Sequence, residues 1–215
     1  MSNEKPGYLG QVIGVLYRPR QIFSAVDESD LTKGLVVVLL MVALAGYSSM
    51  IYMNKIPLSV LAPQLEDINM GQIGGSMGIF AGIGGGVTIL LGWVAATLLL
   101  HGLSKLAGGV GNMKRFFALH GFVSVPGVLN QLLRVADASI MDSVSLAGYY
   151  LSYRDIGSRV LKALLRTNLV NIWGLATLML LVIAIEENYG ATRNRAIMIA
   201  LVPSVVYFAI SYFTT

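Results

Sequence analysis

Residues Gly34–Met53 read GLVVVLLMVALAGYSSMIYM, twenty positions without a single acidic or basic side chain. As a helix rising 1.5 Å per residue this stretch is about 30 Å long, the thickness of a bilayer's hydrocarbon core. Four more apolar stretches follow, over Ile79–Leu103, Phe116–Leu133, Leu169–Ile185 and Ala196–Phe213. Backbone groups in lipid must be satisfied within the segment itself, so each stretch is expected to cross as a helix. The reading is an all-α polytopic membrane protein, one domain over residues 1–215, built as a bundle of five transmembrane helices with short amphipathic interfacial helices.

Composition supports this and removes other classes. Apolar residues make up 55% of the 215-residue chain and charged residues 12%, about half the usual soluble share. A soluble domain could not cover its core with so little polar surface. The absence of cysteine excludes disulfides, thiolate metal sites and thiol catalysis. The formal charge of +4 fits membrane orientation and anionic headgroups, and no basic run with interleaved aromatics points to nucleic acid. Residues 1–33 lack a continuous apolar core and carry Asp27, Glu28 and Asp30, so they do not read as a cleavable signal peptide.

Between the spans, the sequence marks short helices. Leu9, Val12, Ile13 and Leu16 share one face of segment 8–17, and Pro19 opens a second piece carrying Ile22, Phe23 and Val26. Both are expected to form an interfacial collar with Arg18 and Arg20 near phosphates. Pro63, with Leu65 and Ile68, suggests a surface helix in the 54–73 connection. Asp155, Arg159, Lys162 and Arg166 form a stripe, predicting an amphipathic helix that leads into the fourth span. With the N-terminus inside, Lys and Arg number nine on the cytoplasmic side against six opposite, which favours an inner N-terminus and an outer C-terminus.

Gly74, Gly78, Gly82 and Gly86 fall four apart, along one face at the head of the second span. The ordinary use of such a face is close helix packing, and a ligand or lipid slot is the other. Pro126 should kink the third span. Gly74-Gly-Ser76-Met-Gly78 satisfies a serine-hydrolase turn pattern by chance, since no strand precedes it and no histidine lies at its depth. His101 and His120 flank the turn after the second span at similar expected depth. They form a weak metal or proton site candidate, against simple hydrogen bonding near the interface. Asn130, Gln131 and Arg134 end the third span on the side where Arg166, Asn168 and Asn171 begin the fourth. This polar cluster reads as interhelical glue or as a vestibule for a polar substrate or headgroup, with Trp173 as a packing anchor. No cofactor motif is present.

Several of these residues carry a resemblance. Gly108-Gly109-Val110-Gly111-Asn112-Met113-Lys114-Arg115-Phe116-Phe117, followed by Pro126, resembles the turn and third span of the Yip family of Ypt/Rab-interacting proteins. So do Asn168-Leu169-Val170-Asn171-Ile172-Trp173, the polar turn 187–195 with Ala196 and Pro203 after it, and the opening Pro19-Arg20-Gln21-Ile22-Phe23. The compact N-terminus is similar to the prokaryotic branch, although Asn168 stands where many of its members carry an acidic residue. The resemblance implies five helices and a scaffold or accessory subunit that binds other membrane proteins, a transport or other multisubunit complex, or a second copy of itself. A small transporter, channel or lipid-handling protein, with a path between the second and third spans, is the alternative. The cytoplasmic membrane of a prokaryote is the implied location.

Overall fold

A computed structural model describes residues 6–56, 60, 74–167 and 170–214. The surface helix expected after Pro63, and Asn168, lie outside them. Every described element is helical. In order they are α1 (Tyr8–Tyr17), α2 (Pro19–Ala25), a 3-10 turn (Glu28–Asp30), α3 (Leu31–Lys55), α4 (Gly74–Leu106), α5 (Met113–Val123), α6 (Val125–Ile140), α7 (Ser143–Arg154), α8 (Arg159–Arg166), α9 (Ile172–Tyr189) and α10 (Arg193–Phe213). Five stretches are long and apolar enough to cross a bilayer: Glu28–Lys55, Ser76–Leu106, Met113–Ile140, Ile172–Tyr189 and Arg193–Phe213. The chain is an integral, multi-pass membrane protein.

The third span is the hub. It is two helices in series, because Pro126 has no N–H to continue the ladder and the chain breaks at Ser124, leaving Pro126 in the first turn of α6. Its window is 67% buried, against 22–39% for the other four, so α5 and α6 sit at the centre and the rest surround them. Phe116, Leu119, Phe122 and Val123 of α5 are fully enclosed. Glycine sets the closest approach. A Cβ on Gly121 would stand 2.5 Å from the backbone of Gly34, so α3 and α5 touch main chain to main chain. Between helices in lipid no water-driven term operates, and such contact is what holds them.

The helix ends follow local sequence. Asp27 and Asp30 form a capping box that opens the first span, and Asn112 and Asn171 cap α5 and α9 by accepting from Arg115 and Gly174 backbone N–H groups. Gly190 ends α9 at φ 65°, a conformation that glycine adopts without strain. The expected 155–166 helix is shorter than its stripe: Gly157 interrupts it and Ser158 caps a new start at Arg159, so Asp155 instead closes α7. Asp142 caps α7, and the Ser145 backbone and hydroxyl hold its carboxyl below the ordinary carboxylate range.

The N-terminal collar does more than rest on the surface. Val15, Ile22, Phe23 and Val26 belong to the main core, with Val15 and Phe23 fully buried. Arg20, expected beside phosphates, instead pairs with Glu186 and Glu187 at the end of α9. Arg20 is 57% exposed, so Arg20→Ala should cost no more than about 1 kcal/mol, and less at high salt. Unfolding at low and high ionic strength checks this.

Candidate functional site: a cavity and a groove in the bundle

The turn after α4 docks on the turn after α9. Asn188 Nδ2 donates to Asn112 O at 3.0 Å, and Gly109 lies so close to Tyr189 that a Cβ would sit 2.8 Å from the tyrosine's own. Here Arg115 clamps three carbonyls. Its guanidinium donates to Val26 O (2.9 Å), Phe23 O (3.1 Å) and Glu187 O (3.1 Å). Those oxygens belong to the ends of α2 and α9, where a helix leaves carbonyls unmatched.

The two histidines take different partners. His101 Nδ1 lies 2.6 Å from Tyr189 Oη, while His120 Nδ1 lies 2.5 Å from Thr97 Oγ1. Phe116 stands between them, packed edge-on against Tyr189 and stacked on His120. Among the described residues no three histidine, cysteine or acidic side chains converge as metal ligands would.

Below His120 lies a cavity of about 260 Å³, far more than the roughly 10–15 Å³ one water requires. Ala96 and Leu100 of α4, Gly127 and Asn130 of α6, Thr167 at the end of α8, Trp173 and Thr177 of α9, and Pro203 and Ser204 of α10 line it. Four spans therefore border it, and it is half-open. Ala96, Gly174 and Ala200 put little volume on its wall. His120, seven residues into the third span, places its polar edge about 10 Å down the helix axis.

The polar cluster expected from the sequence is divided by the structure. Asn130 and Trp173 line the cavity, Asn171 caps α9, and Arg134 is exposed with its carbonyl 3.5 Å from Tyr52 Oη. Gln131 is buried with Oε1 unmatched in the protein, and Arg166 ends α8. Joining His120 to Asn130 in one space was not legible from spacing. Thr97, Thr167, Thr177 and Ser204 were missed altogether. The available signal was a hydroxyl inside an apolar span, as at Thr97 and Thr177, each of which donates to the carbonyl four residues back.

The glycine series meets α3. Gly82 faces Gly46, where a Cβ on Gly46 would stand 2.8 Å from Gly82 O; Gly86 faces Val42, and Gly78 faces Asn54. Gly74 opens α4. On the outer side the same helices leave an open groove of about 510 Å³, lined by Val42, Ala43, Gly46, Tyr47 and Met50 of α3 with Ile79, Gly82, Ile83, Gly86, Val87 and Leu90 of α4. Tyr47 and Ile83 are more than half exposed there.

The architecture and its two recesses define a class: a polytopic α-helical membrane protein whose distinctive surfaces lie within the bilayer. A family model, the Yip1 domain, matches residues 13–213, nearly the whole chain. The protein belongs to the Yip1 family. No curated protein and no solved structure matches it.

Proposed function

We propose that this Yip1-family protein catalyses no reaction and serves as a scaffold or accessory subunit, holding a membrane-spanning helix of another membrane protein in the α3–α4 groove. The groove carries the reading. Its floor is the line where α3 and α4 meet at Gly46, Gly82 and Gly86, its walls are apolar, and none of its described lining residues is charged. Small residues let an incoming helix approach closely enough for van der Waals contact to bind it, which is the attraction available between helices in lipid. The occupant suited to that floor is an uncharged helix with small residues on one face, from a partner protein. The same reading places the protein in a prokaryotic cytoplasmic membrane with its N-terminus inside and its C-terminus outside.

Isolation of the full chain from its native membranes in mild detergent tests this. A membrane protein in fixed stoichiometry is the expected companion, and Ala43→Phe, which fills the groove from an exposed position, should release it. Isolation as a monomer in every detergent contradicts the proposal, and a second copy of this chain as the sole companion would replace the partner by self-association. The half-open cavity bordered by four spans favours a second role, the binding of a small ligand or lipid head within the bundle.

A further inference from the structure

We infer that the cavity beneath His120 is a binding site for an uncharged, hydroxyl-bearing head group that donates hydrogen bonds to an acceptor-lined wall. The inference builds on the second role proposed for this cavity, is independent of the α3–α4 groove, and is argued from where the lining side chains spend their protons.

A threonine hydroxyl has one proton. Thr97 Oγ1 donates it to Trp93 O at 2.7 Å, so at Thr97 Oγ1 the His120 ring must be the donor through Nδ1–H. In the neutral ring that leaves Nε2 as a lone pair. Among the described residues no carboxylate lines the cavity to offset an imidazolium, and an unpaired charge at this depth is costly. His120 Nε2 has no hydrogen-bond partner among the described residues, and His120 lines the cavity.

The other hydroxyls repeat the pattern. Thr177 Oγ1 donates to Trp173 O at 2.9 Å, and Thr167 Oγ1 donates to Leu164 O at 2.6 Å. Both line the cavity with protons already committed, leaving oxygen lone pairs. The third span, the fourth span and the end of α8 thus each bring an acceptor to one space. Asn130 and Ser204, which bond to no described residue, can give or take. Beyond the Asn130 amide, the Ser204 hydroxyl and the Trp173 indole N–H, the described wall offers acceptors, and no described lining residue is a cation that would balance an anion. The wall offers a cation no countercharge. It matches a neutral group with several O–H donors, and the Trp173 ring supplies an apolar face beside it.

A hydroxylated head can arrive on a lipid or as a free polyol, and both share that chemistry. The test uses the full chain in bilayer nanodiscs with three probes: a monoacylglycerol, the same lipid with both hydroxyls methylated, and free glycerol. Native mass spectrometry should show the monoacylglycerol retained at least about tenfold better than its dimethyl ether, as expected when acceptors lose their donors. Thr177→Val keeps the side chain's shape and should weaken retention about fivefold while leaving thermal stability near that of the parent. His120→Phe should abolish it. Displacement by millimolar glycerol would identify a free polyol as the occupant, and retention despite glycerol would identify the lipid head. Equal retention of diol and diether, binding of neither monoacylglycerol nor glycerol, or a stable Thr177→Val protein with unchanged affinity would each overturn the assignment.

Discussion

Arg115→Leu should destabilise the protein by on the order of 3 kcal/mol, the largest effect expected of any single substitution at the bundle's turn end. The guanidinium satisfies three carbonyls at once, at 2.9–3.1 Å, and these come from two elements far apart in sequence. Its loss leaves Phe23, Val26 and Glu187 oxygens without their donor at helix ends that also lose a favourable positive charge. Arg115→Lys should recover less than half of the loss, because an ammonium is a compact donor and cannot span the same three positions as a planar fork. Chemical unfolding in mild detergent gives the magnitude. Proteolysis should also show cleavage appearing first between residues 18 and 26, where the clamp holds α2 to the bundle. A leucine variant as stable as the parent would mean that water replaces the clamp at no cost.

Gly121→Ala should cost roughly 1–3 kcal/mol although it adds a single methyl group. A Cβ there would lie 2.5 Å from the backbone of Gly34, and main chain cannot move aside as a flexible side chain can. Gly84→Ala is the control, since nothing stands within 4 Å of a Cβ at that position. It should be neutral or stabilising by up to about 1 kcal/mol through helix propensity. The contrast separates packing from propensity: two identical chemical changes, in two spans, with opposite signs. Equal effects at both positions would remove the α3–α5 contact from the account.

That contact also shows what sequence alone conveys. The five spans are written in hydropathy, because the bilayer fixes the length of an apolar helix directly. The regular four-residue spacing of Gly74, Gly78, Gly82 and Gly86 marks a face visibly. Gly34 and Gly121 have no such period, and only the placement of α3 against α5 makes each indispensable. The cavity was legible in fragments. Asn130, His120 and Trp173 each stood out as polar or aromatic residues in apolar surroundings, but their meeting depends on how four helices tilt around the break at Ser124. The threonines carried no pattern of their own, and their importance lies in a hydrogen-bond direction that spacing does not encode. Arg20 was misplaced for a related reason. Its partner lies 166 residues away at Glu186, and a charge near a membrane end reads as headgroup contact until the opposing carboxylate is seen.

Partnership along the α3–α4 face is the claim on which the functional reading stands, and the chain's lack of cysteine makes it directly measurable. Ile83→Cys, at the exposed rim of the groove, and Met198→Cys, on the exposed face of α10, are each treated with a short bifunctional reagent in native membranes. One adduct of a single defined size from Ile83→Cys, absent from Met198→Cys and lost when Ala43→Phe is added, is the predicted result. No adduct at Ile83, or the same ladder of products from both positions, would contradict it.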